Sequence, residues 1–184
     1  MTDLARKSRM LARVLRHEPQ LIRVELDPGG WALESDLLNG FRGVGVPFTR
    51  RELAEIIESD QKSRFTRQGI KIRAAQGHSF PVDLGLTPVR PPRVLLHGTA
   101  TENLNGIFAR GLEKRRRNYV HLNVDVETAL QVGRRHGKAV VLRIDSEKMS
   151  DIGFEFFRAE NGVWLTEEVP AAYLSVHSYD DLAG

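Results

Sequence analysis

The stretch Leu86–Val94, "LTPVRPPRV", carries three of the chain's eight prolines. Proline lacks a backbone N–H and fixes φ, so neither a helix nor a central strand can run through Pro91–Pro92. A chain of 184 residues interrupted there divides into two segments, each long enough to build its own small core. The expected division is a lobe at residues 1–86, a linker at 87–93 and a second lobe at 94–184. There is no internal repeat and no low-complexity tract.

Helical spacing dominates the first segment. Leu4, Leu11, Val14 and Leu15 recur on one side of a helix whose limit is set by Pro19, and Met10 falls on the same side. Arg6, Arg9, Arg13 and Arg16 gather on another side, with His17 beside them at the helix end. "VELDPGGWAL" predicts a short hairpin turning at Pro28–Gly30, and Ser35 is placed to cap a helix through Leu37–Leu38. "TRRELAEII" carries a capping box, Thr49 with Glu52, ahead of Leu53, Ile56 and Ile57. "SRFTRQGIKIRA" alternates about Gly69 and predicts an exposed two-stranded wing. Helices followed by a wing resemble a winged helix.

After the linker the signals become strands: "RVLLHGT", "YVHLNV", "KAVVLRID" and "GVWLTEEV" are short apolar or alternating runs. "ENLNGIFARG", closing on Gly111, and "DVETALQVGRRHG", running from Asp125 to near Gly137, predict helices between them. The expected class is therefore α+β.

Composition excludes several chemistries. With no cysteine there is no disulfide framework, no cysteine zinc site and no thiol nucleophile. No apolar run approaches the length needed to cross a bilayer, and "MTDLARKSRM" lacks the apolar stretch of a signal peptide. The expected location is the cytoplasm. No Gly-x-Gly-x-x-Gly or P-loop pattern is present. His97, His121 and His136 lack metal-ligand spacing with carboxylates, so no metal is expected. The formal net charge is only +3, but Arg90–Arg143 holds 11 Lys/Arg against 4 Asp/Glu, while Ile144–Gly184 holds 2 against 9. Such asymmetry suits an anionic ligand bound at one place, or it simply solvates the surface.

Three clusters stand out as candidate chemistry. Arg16–His17 ends the arginine-rich helix. Like charges at these spacings repel, so the face either meets an anion or is solvated, with His17 as a cap. "QKSRFTRQGIKIRAAQGHS" holds Lys62, Arg64, Arg67, Lys71, Arg73 and His78 without an acid between them, which reads as a nucleic-acid surface or as an ordinary exposed wing. "GLEKRRRNYVHL" leads four cations, Lys114–Arg117, into a strand with His121, and "LLHGT" sets His97, Gly98 and Thr99 at a strand end where a ligand can approach the backbone. Plentiful cations and few bases describe a site that binds and polarises phosphates.

Taken in order, "LARVLRHEP", "DQKSRF", "IRAAQGHS", "LLHGT", "GLEKRRRNYVHL" and "NGVWLTEEVP" resemble the motifs of the RNA 2′-phosphotransferase family, across Ser8 to about Tyr173. The resemblance implies an N-terminal winged-helix, RNA-binding lobe and a C-terminal ADP-ribosyltransferase-like, NAD-binding lobe, with the active site in the cleft between them. It also implies a reaction. A splice-junction 2′-phosphate on RNA attacks the nicotinamide ribose of NAD, nicotinamide leaves, and the ADP-ribosylated RNA phosphate resolves to a free 2′-OH and ADP-ribose 1″,2″-cyclic phosphate.

The same resemblance assigns the catalytic roles to Arg16, His17, Arg64 and Arg117, the arginines gripping the phosphate and His17 moving a proton or contacting phosphate. Counting back from "VHL" selects Arg117 over Arg115 and Arg116. His97, Gly98, Thr99 and His121 fall on the positions that hold NAD. Val163 stands where protein-modifying relatives carry a glutamate, which a dianionic nucleophile does not need. Tyr119 and Asn123 depart from the family's frequent histidine and serine. The expected partners are NAD and a tRNA-like RNA bearing a 2′-phosphate, with the protein a monomer. Two other readings remain open at this point. One is ADP-ribosylation of terminal RNA or DNA phosphates; the other is a non-catalytic winged-helix nucleic-acid-binding module.

Overall fold

A computed structural model describes residues 3–177; the last seven residues of the expected second lobe, with the tail acids Asp180 and Asp181, lie outside them. The architecture is α+β, with small antiparallel sheets. It splits into two compact units. The first runs through Leu86 and includes Arg116–Asn118; the second takes Thr87–Arg115 and Tyr119 onward. Residues 87–93 fall in the second unit, where the Val89 N–H donates to the Phe156 carbonyl at 2.8 Å.

The first unit opens with α1, Asp3–Arg16, whose buried Leu11, Val14 and Leu15 enter a core shared with Leu37, Phe41, Leu53, Ile56, Phe65 and Ile72. A 3-10 turn at Pro19–Ile22 ends that run where Pro19 removes a helical N–H. Three further elements follow: β1 at Ala32–Leu33, α2 at Glu34–Gly43 and α3 at Arg50–Glu58. At the head of α3 the expected capping box is formed. Thr49 Oγ1 accepts from the Glu52 N–H at 3.1 Å, and the Glu52 carboxylate accepts from the Thr49 N–H at 2.7 Å. The hairpin of β2, Phe65–Gln68, and β3, Lys71–Ala74, turns at Gly69 with φ +56°, and the sheet order is β1-β3-β2.

Two expectations in this unit are corrected. Pro28–Gly30 does turn, with the Gly30 N–H donating to the Asp27 carbonyl at 2.8 Å, but no strand precedes it. β1 pairs instead with β3, Ala32 against Ile72, because the core face of that sheet is completed from the far hairpin. Ser35 caps nothing: α2 begins one residue earlier, after Leu33, and the Ser35 hydroxyl donates to Asp36.

No helix or strand lies between Ala74 and Leu95. The end of this span is anchored by Ser146 Oγ donating to the Pro92 carbonyl at 2.7 Å. The second unit follows as β4 (Leu95–Ala100), α4 (Leu104–Arg110), β5 (Leu112–Glu113), β6 (Val120–Leu122) and α5 (Val126–Gly133). β7 (Ala139–Ile144), α6 (Ser146–Asp151), β8 (Phe156–Arg158), β9 (Trp164–Thr166), β10 (Glu168–Val169) and β11 (Leu174–Val176) complete it. Its sheets are β11-β7-β4, β6-β9-β8 and the pair β10-β5. Leu95, Val120, Leu122, Leu142, Ile144, Phe156 and Trp164 form its main core. α4 stops at Gly111, φ +88°, as expected; α5 stops at Gly133, earlier than Gly137. The short β5, β8, β11 and α6 carry too little periodicity to be read from sequence.

Candidate active site

Arg16, His17, Arg64 and Arg117 all belong to the first unit. Arg16 is the last residue of α1, and His17 follows in the turn. The loop "IRAAQGHS" returns to this helix end. The Ser79 N–H donates to the Arg16 carbonyl at 2.9 Å, and Ser79 Oγ lies 3.1 Å from His17 Nδ1. Gly77, at φ +91°, lies against the Arg16 side chain; a Cβ there would come within 3.7 Å of Arg16 Cδ and Nε. Ser79 and Gly77 were not singled out by sequence reasoning, although both lie inside a quoted motif.

Three of the four arginines of the α1 face have separate fates. Arg6 pairs with Asp3 at 3.0 Å and Arg13 with Glu18 at 2.7 Å, both near water. Arg16 turns inward, and its Nε and Nη2 are buried with no hydrogen-bond partner. Burial pushes its pKa down to about 10, with the charges of Arg117 and Arg64 adding to the effect and Asp60 opposing it. The guanidinium is still cationic at neutral pH. Arg16 therefore sits in the fields of the other two arginines. Arg117 also acts on His17, so of the three consecutive arginines it is the one whose charge is felt at this helix end.

Desolvation and then the Arg16 and Arg117 charges lower the His17 pKa below its usual value, so the ring is neutral at pH 7. The Ser79 hydroxyl donates to the Arg16 carbonyl at 3.4 Å. Behind this pair His78 is 1% exposed and its Nε2 has no partner, and burial pushes its pKa down to about 4. It is a neutral packing residue, set edge-on to Phe80 at 5.7 Å.

Arg64 is held at the mouth of β2. Its Nη1 donates to Asp60 Oδ1 at 2.6 Å, and its backbone N–H donates to the other carboxylate oxygen. A hollow of about 300 Å³ adjoins it, bordered also by Ser8, Ser59 and Lys62; Arg16, His17 and Arg117 do not line it. The wing is far less available to anions than its composition suggests. Arg67 pairs with Glu34 at 2.7 Å, and Lys71 pairs with Asp27 at 3.1 Å. Arg73 lies over the Trp31 ring at 4.4 Å and donates to the Gly29 carbonyl.

The second unit holds the other candidates. His97 Nδ1 lies 3.0 Å from the His121 carbonyl, which can only accept, so that nitrogen carries the proton and Nε2 becomes the acceptor. β4 and β6 meet here through reciprocal Leu96–Asn123 backbone bonds of 2.7 and 2.8 Å, giving Asn123 a backbone task. Thr99 Oγ1 accepts from Asn103 Nδ2 at 3.2 Å. Gly98 is accounted for by packing: a Cβ would lie 2.5 Å from the Ala129 carbonyl carbon, so its bare backbone lets α5 lie on β4. Tyr119 packs on Phe157 with centroids 5.5 Å apart, and Val163 sits just ahead of β9, its carbonyl accepting from the Ala159 N–H.

Together these features define an α+β protein with a concentration of arginine charge at one helix end and, among the described residues, no cluster of side chains able to hold a metal. No helix among them is long and apolar enough to cross a membrane. The family profile of the RNA 2′-phosphotransferases, Tpt1/KptA family, matches residues 2–168. The chain is 48% identical over 175 residues to the probable RNA 2′-phosphotransferase of Hahella chejuensis, covering 94% of each chain. It is 48% identical to that of Agrobacterium fabrum, covering 92% of each. Identity to the Streptomyces coelicolor protein of the same printed name is 44%, over 91% of this chain and 92% of the other. The chain belongs to the RNA 2′-phosphotransferase, Tpt1/KptA family, a family of transferases.

Proposed function

We propose that this protein transfers the 2′-phosphate of a splice-junction-type RNA to NAD, releasing nicotinamide and forming ADP-ribose 1″,2″-cyclic phosphate. The observation that carries the reading is Arg16: two buried, unpartnered N–H groups on a guanidinium that also feels Arg64 and Arg117. Buried donors without acceptors cost stability, and a phosphate dianion supplies acceptors and charge together.

In this reading the first unit is a winged-helix lobe, supported by its order of three helices and a hairpin. The second unit is an ADP-ribosyltransferase-like lobe that binds NAD. The fit rests on His97, whose Nδ1 is committed to the His121 carbonyl and whose Nε2 suits a ribose hydroxyl donor, with the Thr99 hydroxyl two residues along the strand. Bound NAD supplies an electrophilic ribose carbon bearing a good leaving group. The chain's own contributions are electrostatic and positional. Arg16, Arg64 and Arg117 grip the phosphate and offset charge as it develops. His17, its ring neutral and its Nδ1 tied to Ser79, takes or holds a proton next to them.

The test is incubation with NAD and 2′-phosphorylated RNA beside 5′-phosphorylated RNA. Cyclic phosphate from the first substrate supports the reading; ADP-ribosylated RNA as its end product, with no cyclic phosphate, refutes it. Arg64→Ala and Arg117→Ala are expected to stall after nicotinamide release and accumulate ADP-ribosylated RNA, whereas Arg116→Ala turns over normally.

A further inference from the structure

Asp60 lies two residues past the end of α3, and its side chain is 3% exposed, which is unusual for an acid at the tip of a loop. Around it the segment Asp60–Arg64 is wound tightly. Oδ1 accepts from Arg64 Nη1 at 2.6 Å and from the Lys62 N–H at 3.3 Å, and Oδ2 accepts from the Arg64 N–H. The Asp60 carbonyl accepts from the Ser63 N–H at 2.8 Å, with Ser63 at φ +43°. The far end of the loop is tied to the residue just past β3, the Ala75 N–H donating to the Arg64 carbonyl at 2.9 Å.

A salt bridge between exposed groups is loosely held. A buried carboxylate is different, because releasing its partner would strand a charge away from water. Arg64 Nη1 is therefore committed. The other edge of the guanidinium, Nε with Nη2, is the pair of donors that matches two phosphate oxygens. The Asp60 charge is also the one acting against the mutual repulsion of the arginines at Arg16.

We infer that Asp60 is a positioning residue: it clamps Arg64 by Nη1 and so presents the Nε–Nη2 edge to the RNA 2′-phosphate. This rests on reading Arg64 as a phosphate contact. Asparagine cannot replace it, since an amide offers one acceptor where two sets of donors must be met. Glutamate keeps the charge but displaces it by one methylene, and should restore part of the effect.

A double-mutant cycle separates this role from simple loop support. The first readout is the affinity of the full chain, without NAD, for a 2′-phosphorylated oligoribonucleotide relative to the same strand with a free 2′-OH. The second is turnover to cyclic phosphate. Asp60→Asn should reduce the preference for phosphate by about 10- to 100-fold, the usual worth of a hydrogen-bonded charged contact, with Asp60→Glu in between. In an Arg64→Ala background the same substitution should change both readouts far less, because Asp60 acts mainly through Arg64 and only secondarily through its charge at Arg16. Equal losses in both backgrounds, or an unchanged preference in Asp60→Asn, overturn the inference. So does a wild-type protein with no preference for the phosphorylated strand. If the binding cycle holds while no cyclic phosphate forms, the clamp stands and the proposed reaction falls.

Discussion

Replacing Gly98 by alanine separates two reasons for a glycine at that strand. A ligand reading keeps the backbone open to NAD, whereas the packing reading keeps it open to α5. The structure makes the second reading quantitative. An added Cβ would lie 2.5 Å from the Ala129 carbonyl carbon, and closer still to its oxygen, with further contact to Ala129 Cα at 3.1 Å. Carbon atoms rest about 3.5–4.0 Å apart, so α5 must retreat by roughly 1–1.5 Å along a rigid strand. That movement loosens the small cluster of Leu96, Ala129 and Val141. It also disturbs the second close approach, where Gly133 meets Thr99. Overpacking costs about 1–3 kcal/mol, and a clash with backbone belongs at or above the top of that range. At about 2–4 °C per kcal/mol for a chain of this size, Gly98→Ala should lower Tm by roughly 6–12 °C. Gly43→Ala, which meets nothing within 4 Å at the end of α2, is the control and should be neutral or up to about 1 kcal/mol stabilising. Calorimetric scans of the three proteins decide the matter. An unchanged Tm in Gly98→Ala, with nicotinamide release lost, would refute the packing argument and return Gly98 to the ligand.

Three further expectations follow from particular contacts. Thr49→Ala removes the capping box of α3 and should cost about 1 kcal/mol, seen as a Tm lower by about 2–4 °C. His78 is held neutral down to about pH 4 in the folded chain, while the unfolded chain takes up a proton near 6.5. Its stabilisation is therefore full above pH 6.5 and is lost as pH falls from 6.5 to 4, at up to about 1.4 kcal/mol per pH unit; His78→Phe should flatten urea-unfolding stability across that window relative to wild type. RNA binding through Arg16, Arg64 and Arg117 alone gives a slope of log K against log salt near −2. Adding Arg13, Arg67, Lys71 and Arg73 would give about −5, so a steep titration would show that the paired cations open on binding.

What could be read from the chain depended on how far apart the interacting residues lie. Thr49 and Glu52 are three residues apart, Gly69 governs its own turn, and Gly111 ends its own helix; each feature is local and each formed as expected. β1 was misread as half of a hairpin because its partner, β3, is supplied by a distant segment, and two residues of strand carry no period of their own. Lys7 was invisible for the same reason. It falls on the apolar side of α1 and is nevertheless buried, paired with Glu52 at 2.5 Å and lying over the Phe48 ring. Asp60 reads in sequence as one more loop acid, since nothing local says that its carboxylate is covered. The packing of Arg116–Asn118 with the first unit, where Asn118 Nδ2 donates to the Phe80 carbonyl at 3.0 Å, likewise depends on tertiary structure alone.

Charge counting fails in an instructive way. The α1 face and the wing looked equally cationic in sequence, but folding sorts their side chains by what each can reach. Arg6, Arg13, Arg67 and Lys71 find carboxylates, and Arg73 finds a ring and a carbonyl. Arg16 could have been neutralised as cheaply, because Glu18 lies two residues away, yet Glu18 is taken by Arg13. The Arg16 guanidinium is left buried, with two donors unpaired and like charges acting on it, at a cost on the order of 1–3 kcal/mol for each unmet donor. A fold tolerates that only where the surrounding packing over-determines it, here by Gly77 against the side chain and Ser79 bonded to the backbone. Buried guanidinium donors beside like charges, which an incoming anion would satisfy, mark a binding site more reliably than the number of arginines on a surface. They also explain why the paired cations of the wing, though more numerous, are the poorer candidates.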